Sequence, residues 1–151
     1  MHNSTFTVLH KILVGEFISF FGLGDSWSMA IGNFYLVAQN IIFQDEKKLH
    51  NLLLDNIPQT KSSIDPEDIS KSAILSICMK QNIIDIHLDK KYSLTIKFEN
   101  ELQMQIPTNE PIVDWQWAIN KSCNDPYRDY IVASFWEGEI EINKELKFED
   151  L

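Results

Sequence analysis

"NIIDIHLDKKYSLTIKFENELQMQI", residues 82–106, decides how this chain folds. Apolar and polar residues alternate along it, the period-two signature of strands with one covered face. Ile84, Ile86 and Leu88 fall on one side, with Asp85, His87 and Asp89 on the other. Leu94, Ile96 and Phe98 then alternate with Ser93, Thr95 and Lys97, and Leu102, Met104 and Ile106 resume the apolar side. The polar breaks "LDKKY" and "ENE" read as turns, so the stretch predicts three antiparallel strands.

An echo of this stretch lies upstream. "LHKILVGEFISFFGLGDSWSMAIGNFYLVAQ", from Leu9, aligns with "LSICMKQNIIDIHLDKKYSLTIKFENELQMQ", from Leu75, at an offset of about 66. Leu13 matches Met79, and Phe17 and Ile18 match Ile83 and Ile84. After a one-residue slip Trp27 matches Tyr92 and Ile31 matches Ile96, while Leu36 and Ala38 match Leu102 and Met104. Each unit reads as a short helical turn followed by three strands. Gly32-Asn33 is the tight turn of the first unit, since both residues tolerate positive φ.

The expected architecture is therefore one α+β domain over residues 1–151. Antiparallel sheets come from two similar units, about 9–43 and 75–107, and two or three short helices join them. Residues 45–56 carry Leu49, Leu52 and Leu53 at helical spacing behind Asp45 as a cap. A better helix spans 62–81, with Asp65 as cap, Pro66 at the first helical position and an apolar stripe of Ile69, Ile74, Ile77 and Cys78. Beyond Pro107, residues 112–119 alternate Val113, Trp115, Trp117 and Ile119 against Asp114, Gln116 and Ala118. Residues 129–142 read as one long strand bent near Gly138, followed by a polar tail free to fray.

Composition narrows the function. The net charge is −9, and it is uneven: residues 1–80 hold 8 acids and 6 bases, residues 81–151 hold 14 acids and 7 bases. Nucleic-acid binding is not expected, because phosphates demand clustered Lys and Arg. No apolar run reaches the length of a membrane span, and the N-terminus lacks a secretory pattern. Cys78 and Cys123 have no metal-like spacing and read as reduced thiols of a cytoplasmic protein.

Catalytic constellations fail one by one. Gly24-Asp25-Ser26 suggests a nucleophilic serine, but the last of the four histidines is His87 and no Asp-x-x-His closes the chain. A serine without a base is not activated. Asp25 and Ser26 instead suit a turn, bonding local backbone. Asp85, His87 and Asp89 share a strand face, but a strand spaces alternate residues about 6.6–7 Å apart, which is wide for one ion. The glycines at 22 and 24 lack the lysine and following helix of a phosphate loop. No cofactor, metal or catalytic residue is expected.

What remains is a surface. Asp114, Trp115, Trp117, Glu137, Glu139 and Glu141, with Tyr130 and Trp136 nearby, combine aromatic anchors with carboxylates that steer a basic partner. Two readings stay open for the tryptophan strand, core or contact, and two for the glutamates, a solvated face or a docking one.

Residues 70–142 resemble a group of small bacterial proteins: an apolar short helix, a strand, a pattern ending in Phe98 and Asn100, then Pro107 and a strand with Trp115. Where related sequences often keep glycine in the hairpin, this chain has Asn100-Glu101. The resemblance is to immunity proteins of polymorphic or contact-dependent growth inhibition toxin systems. It implies a cytoplasmic, non-enzymatic inhibitor that binds a basic toxin domain, such as a nuclease, and occludes it. The alternatives are a small-ligand-binding domain or small enzyme with a pocket between the two units, and a structural subunit.

Overall fold

A computed structural model describes residues 2–56, 65–121, 129–136, 139–145 and 147–151. The chain opens with helix α1 (His2–Leu13) and runs into strands β1 (Ile18–Leu23), β2 (Trp27–Ile31), β3 (Phe34–Ala38) and β4 (Ile42–Phe43). Helices α2 (Glu46–Asn56) and α3 (Pro66–Cys78) follow. Then come β5 (Ile83–Leu88), β6 (Leu94–Phe98), β7 (Gln103–Ile106), β8 (Trp115–Asn120), β9 (Tyr130–Phe135), β10 (Ile140–Ile142) and a 3-10 turn, Phe148–Asp150. The mixed α+β class with antiparallel sheets is as expected.

The strands form a six-stranded sheet, β1-β2-β3-β8-β9-β10, and a four-stranded sheet, β4-β7-β6-β5. The chain exchanges strands between them. β4 follows β3 but pairs with β7, and β8 follows β7 but pairs with β3. The inner faces of both sheets, with Leu9 and Leu13 of α1 and Leu75 and Cys78 of α3, bury one continuous apolar cluster. Neither sheet covers its own apolar face, so the two stabilise each other.

Local geometry recurs in the two helix–strand runs. Gly15 N–H donates to Ile83 O at 2.8 Å, and Lys80 N–H donates to Ile18 O at 3.1 Å. Gly15 (φ 91) and Lys80 (φ 62) both adopt left-handed backbone just past a helix, where such a residue ends the helical ladder. Register shifts occur at Ile18/Phe20 and at Ile83/Asp85. Pairing matches Ile31, opposite Ile18, with Phe98, opposite Ile83, rather than with Ile96. The connection 89–93 is longer than 24–26, and that difference shifts the alignment.

The bulges correct two strand readings. At Ile83/Asp85 the bulge turns Ile83 into the core and leaves Ile84 exposed. At Trp115/Trp117 a second bulge breaks the alternation, so these tryptophans lie on opposite faces. A bulge inserts one residue, and one residue flips the face.

Helix α3 starts as its sequence dictates: Asp65 Oδ1 accepts the Glu67 N–H at 2.9 Å, and Pro66 occupies the first turn. Its covered stripe is Ser70, Lys71, Ile74, Leu75 and Cys78, while Ile77 is exposed. The surprise is Lys71, 2% exposed. Its ammonium donates to Asn40 Oδ1 and Ile41 O, both at 2.7 Å, and pairs with Glu67 at 3.2 Å and Glu46 at 3.5 Å. Asn40 Nδ2 donates onward to Glu110 Oε1 at 2.8 Å, and the Gln116 side chain bonds the backbone N–H and C=O of Glu110. This network sits where the β3–β4 and β7–β8 connections pass. It satisfies polar groups that the exchange of strands would otherwise bury unpaired.

Residues 129–142 form a hairpin, β9 and β10, rather than one bent strand. Phe135 N–H donates to Glu139 O at 2.6 Å across the turn. The tail is tied down: Lys11 Nζ donates to Phe148 O and lies 4.2 Å from the Phe148 ring centre.

Candidate protein-binding face

The six-stranded sheet turns one face to the core and the other outward. Register places Phe20, Gly22, Ser28, Val37, Ala118, Ala133 and Glu141 on the outward face. Val37, Ala118 and Ala133 are buried there, in a small cluster of their own roofed by Trp115, Tyr130 and Phe135. Small side chains make a low floor, and aromatic rings from β8 and β9 stand over it. Trp115 pairs with Phe135 across the strands. Tyr130 meets Phe135 edge to face, centroids 5.8 Å apart at 86°. Such pairs hold rings rigid, which lowers the entropy lost when a partner covers them.

Carboxylates border these rings. The Tyr130 hydroxyl donates to Glu141 Oε2 at 2.8 Å. That bond, and then burial, raise the phenol pKa above its ordinary value. Glu139 and Glu141 are exposed. Asp114 is exposed directly before Trp115. Trp136, 57% exposed, begins the turn that Glu139 closes.

Of the six expected contact residues, the structure places Trp115 and Glu141 on this face, with Asp114 and Glu139 exposed beside the strands that form it. Glu137 lies outside the described residues. Trp117 does not join them. It is fully buried in the main core, and its Nε1–H donates to Tyr92 O at 2.9 Å, joining the two sheets. Alternation alone put both tryptophans together, and the bulge separates them.

Two residues escaped the sequence reading. Phe135 looks like any strand aromatic until pairing sets it opposite Trp115. Ile112 is 95% exposed and has φ 59, a left-handed conformation that β-branched residues rarely adopt. Pro111 before it suits a turn requiring positive φ at the next position, where glycine is the usual occupant.

The other candidates resolve simply. Ser26 lies in the link between β1 and β2, where Gly24 N–H donates to Ser26 O at 3.1 Å; the hydrogen bond is backbone to backbone. Asp89 Oδ1 accepts the N–H groups of Lys91 and Ser93, shaping a turn. No group of metal-ligating side chains occurs among the described residues. Cys78 is buried, and burial pushes its thiol up to about 11. Cys123 lies outside the described residues.

A separate cleft of about 590 Å3 opens between α2, α3 and the β6–β7 turn. Leu49, Leu52, Ile74, Ile77 and Leu102 line it, with Asp45, Lys48, Asp55 and Glu101. Among the described residues, no helix is long and apolar enough to cross a membrane. Comparison with protein-family models, with curated proteins and with solved structures finds no match to this chain.

Proposed function

We propose that this chain is a non-enzymatic binding protein that docks a basic protein on the outward face of β8–β10. The observation that carries this reading is the preorganised cluster of Trp115, Phe135 and Tyr130 beside the exposed carboxylate of Glu141. Rigid aromatics supply contact area, and exposed carboxylates raise the encounter rate with a cationic partner. The acidic excess of residues 81–151 points the same way.

In its specific form, the partner is the toxic domain of a bacterial polymorphic or contact-dependent growth inhibition system, and this chain is the cytoplasmic immunity protein. Neutralisation would proceed by occlusion. Carboxylates of Asp114, Glu139 and Glu141 occupy positions meant for substrate phosphates, and no bond is made or broken. Co-expression with the toxic domain encoded by the neighbouring gene tests this. Rescue of growth is expected, and Trp115→Ala is expected to weaken the complex about 30-fold. Rescue that survives Trp115→Ala together with Glu141→Lys removes the proposed face.

A second reading, a small-ligand-binding domain, is favoured by the cleft between α2 and α3. Its volume and apolar lining fall in the range of ligand sites. Leu52→Lys separates the two readings, because it blocks that cleft and leaves β8–β10 untouched.

A further inference from the structure

Among the described residues the two sheets end in four edge strands, β1, β10, β4 and β5. Unpaired strand edges invite another strand, and soluble proteins blunt them with short length, charge or bulges. Three edges here are blunted. β4 has two residues and β10 has three, the latter carrying Glu141. β5 carries Asp85 and His87, and its first residue is already bonded, with Ile83 N–H donating to Glu16 O at 2.7 Å.

β1 is different. It has six residues, "ISFFGL", and no charged side chain. Its bulge lies at the start; from Phe20 to Leu23 it runs in continuous register with β2. Phe20 shares the outward face with Ala30, while Phe21 and Leu23 share the inward face with Met29 and Trp27. Phe20 is 60% exposed, Leu23 39% and Phe17, just upstream, 40%. A strand apolar on both faces has the composition of an interior strand. This one stands at an edge.

We propose that β1 is interior in solution, paired antiparallel with β1 of a second copy, so that the two six-stranded sheets become one. A two-fold axis sets like beside like. Like charge disfavours that unless the joined edge is uncharged, and among the described edge strands the six-residue β1 has no charged side chain. Two acids flank the strand: Glu16 is folded back, its carboxylate oxygen 2.7 Å from where a Cβ on Gly32 would stand, and Asp25 lies exposed in the link to β2, beyond the paired stretch. Pairing centred on Phe21 sets each Phe20 across from Gly22 of the second copy, an aromatic ring over a residue without a side chain. β10, with its acids, is the opposite edge of the sheet. The joint therefore holds the two acidic faces far apart and leaves both open. This inference does not rest on the proposed function.

Light scattering coupled to gel filtration of the full chain tests it. The expected mass is twice 17.6 kDa, falling to 17.6 kDa on dilution. Phe20→Lys is expected to give 17.6 kDa at every concentration while the circular dichroism stays unchanged, and Glu141→Lys is expected to keep the doubled mass. A single-chain mass for the parent at every concentration overturns the proposal, as does a dimer that survives Phe20→Lys. Should Phe20→Lys fail to fold, hydrogen exchange on the parent decides. Amides of Ser19–Leu23 protected at high and exposed at low concentration support the pairing. Equal exchange at both overturns it. Protection that arises only when another protein is added also overturns it, and assigns the edge to a foreign strand.

Discussion

The outward faces of the two sheets carry different chemistry. Both sheets grow from a helix, a left-handed residue, a bulged first strand and a meander. On the four-stranded sheet the outward positions are His87, Thr95, Lys97, Gln103 and Gln105, short or charged groups suited to water. On the six-stranded sheet β9 and β10 extend the edge, and the outward positions become Val37, Ala118, Ala133, Trp115, Tyr130 and Phe135. One scaffold thus carries a solvated face and an aromatic one. Stability needs the inward faces of both sheets, which form a single core. The aromatic rings of that face come from β8 and β9 and its flanking carboxylate from β10, so the proposed binding face is β8–β10.

The comparison can be broken at the residue that joins the sheets. Trp117→Ala removes a fully buried indole and its bond to Tyr92 O, and should cost about 3–5 kcal/mol in denaturant unfolding. A cost below about 1 kcal/mol would mean that the sheets are not stabilised through each other. Next is the strand exchange. Lys71→Ala leaves Asn40 and the carboxylate of Glu46 without their ammonium, and should cost about 3 kcal/mol. The two helix ends sharpen the comparison at smaller scale. Gly15→Ala should destabilise by about 1 kcal/mol, and Lys80→Gly should stabilise by a similar amount, because both positions hold positive φ and only one has glycine.

The smallest effect is in pH. Tyr130 has a raised pKa, first from its bond to Glu141 and then from burial. A raised folded-state value contributes stability below the unfolded pKa and loses it as pH climbs through the folded one. From about pH 10 upward the parent should lose stability more steeply than Tyr130→Phe, measured by thermal melts across pH. Parallel curves would mean the bond does not persist in solution.

Much of this was legible in the sequence, and the misses share a cause. Strands β2, β6 and β7 follow from unbroken alternation, and the start of α3 follows from Asp65-Pro66. Alternation fails where a bulge adds a residue. Ile83/Asp85 and Trp115/Trp117 carry no glycine or proline to announce one, so Ile84 reads as core and Trp115 and Trp117 read as sharing one face. Helical spacing gives no sign that Lys71 is buried, because its partners Asn40, Ile41 and Glu46 come from chain more than twenty residues upstream. The exchange of β4 and β8 is a choice of partner, and strand period says nothing about partner. On the candidate face, the acids and Trp115 were visible one at a time. Their assembly with Phe135 over Ala118 and Ala133 depends on register.

The most direct measurement is calorimetric titration of the basic domain proposed as partner into two charge variants. One is Glu139→Lys with Glu141→Lys, on the aromatic face; the other is Gln103→Lys with Gln105→Lys, on the solvated face of the four-stranded sheet. Binding lost or slowed in the first and retained in the second is the expected result. Equal affinity for both variants, or loss only in the second, would contradict the assignment of binding to β8–β10.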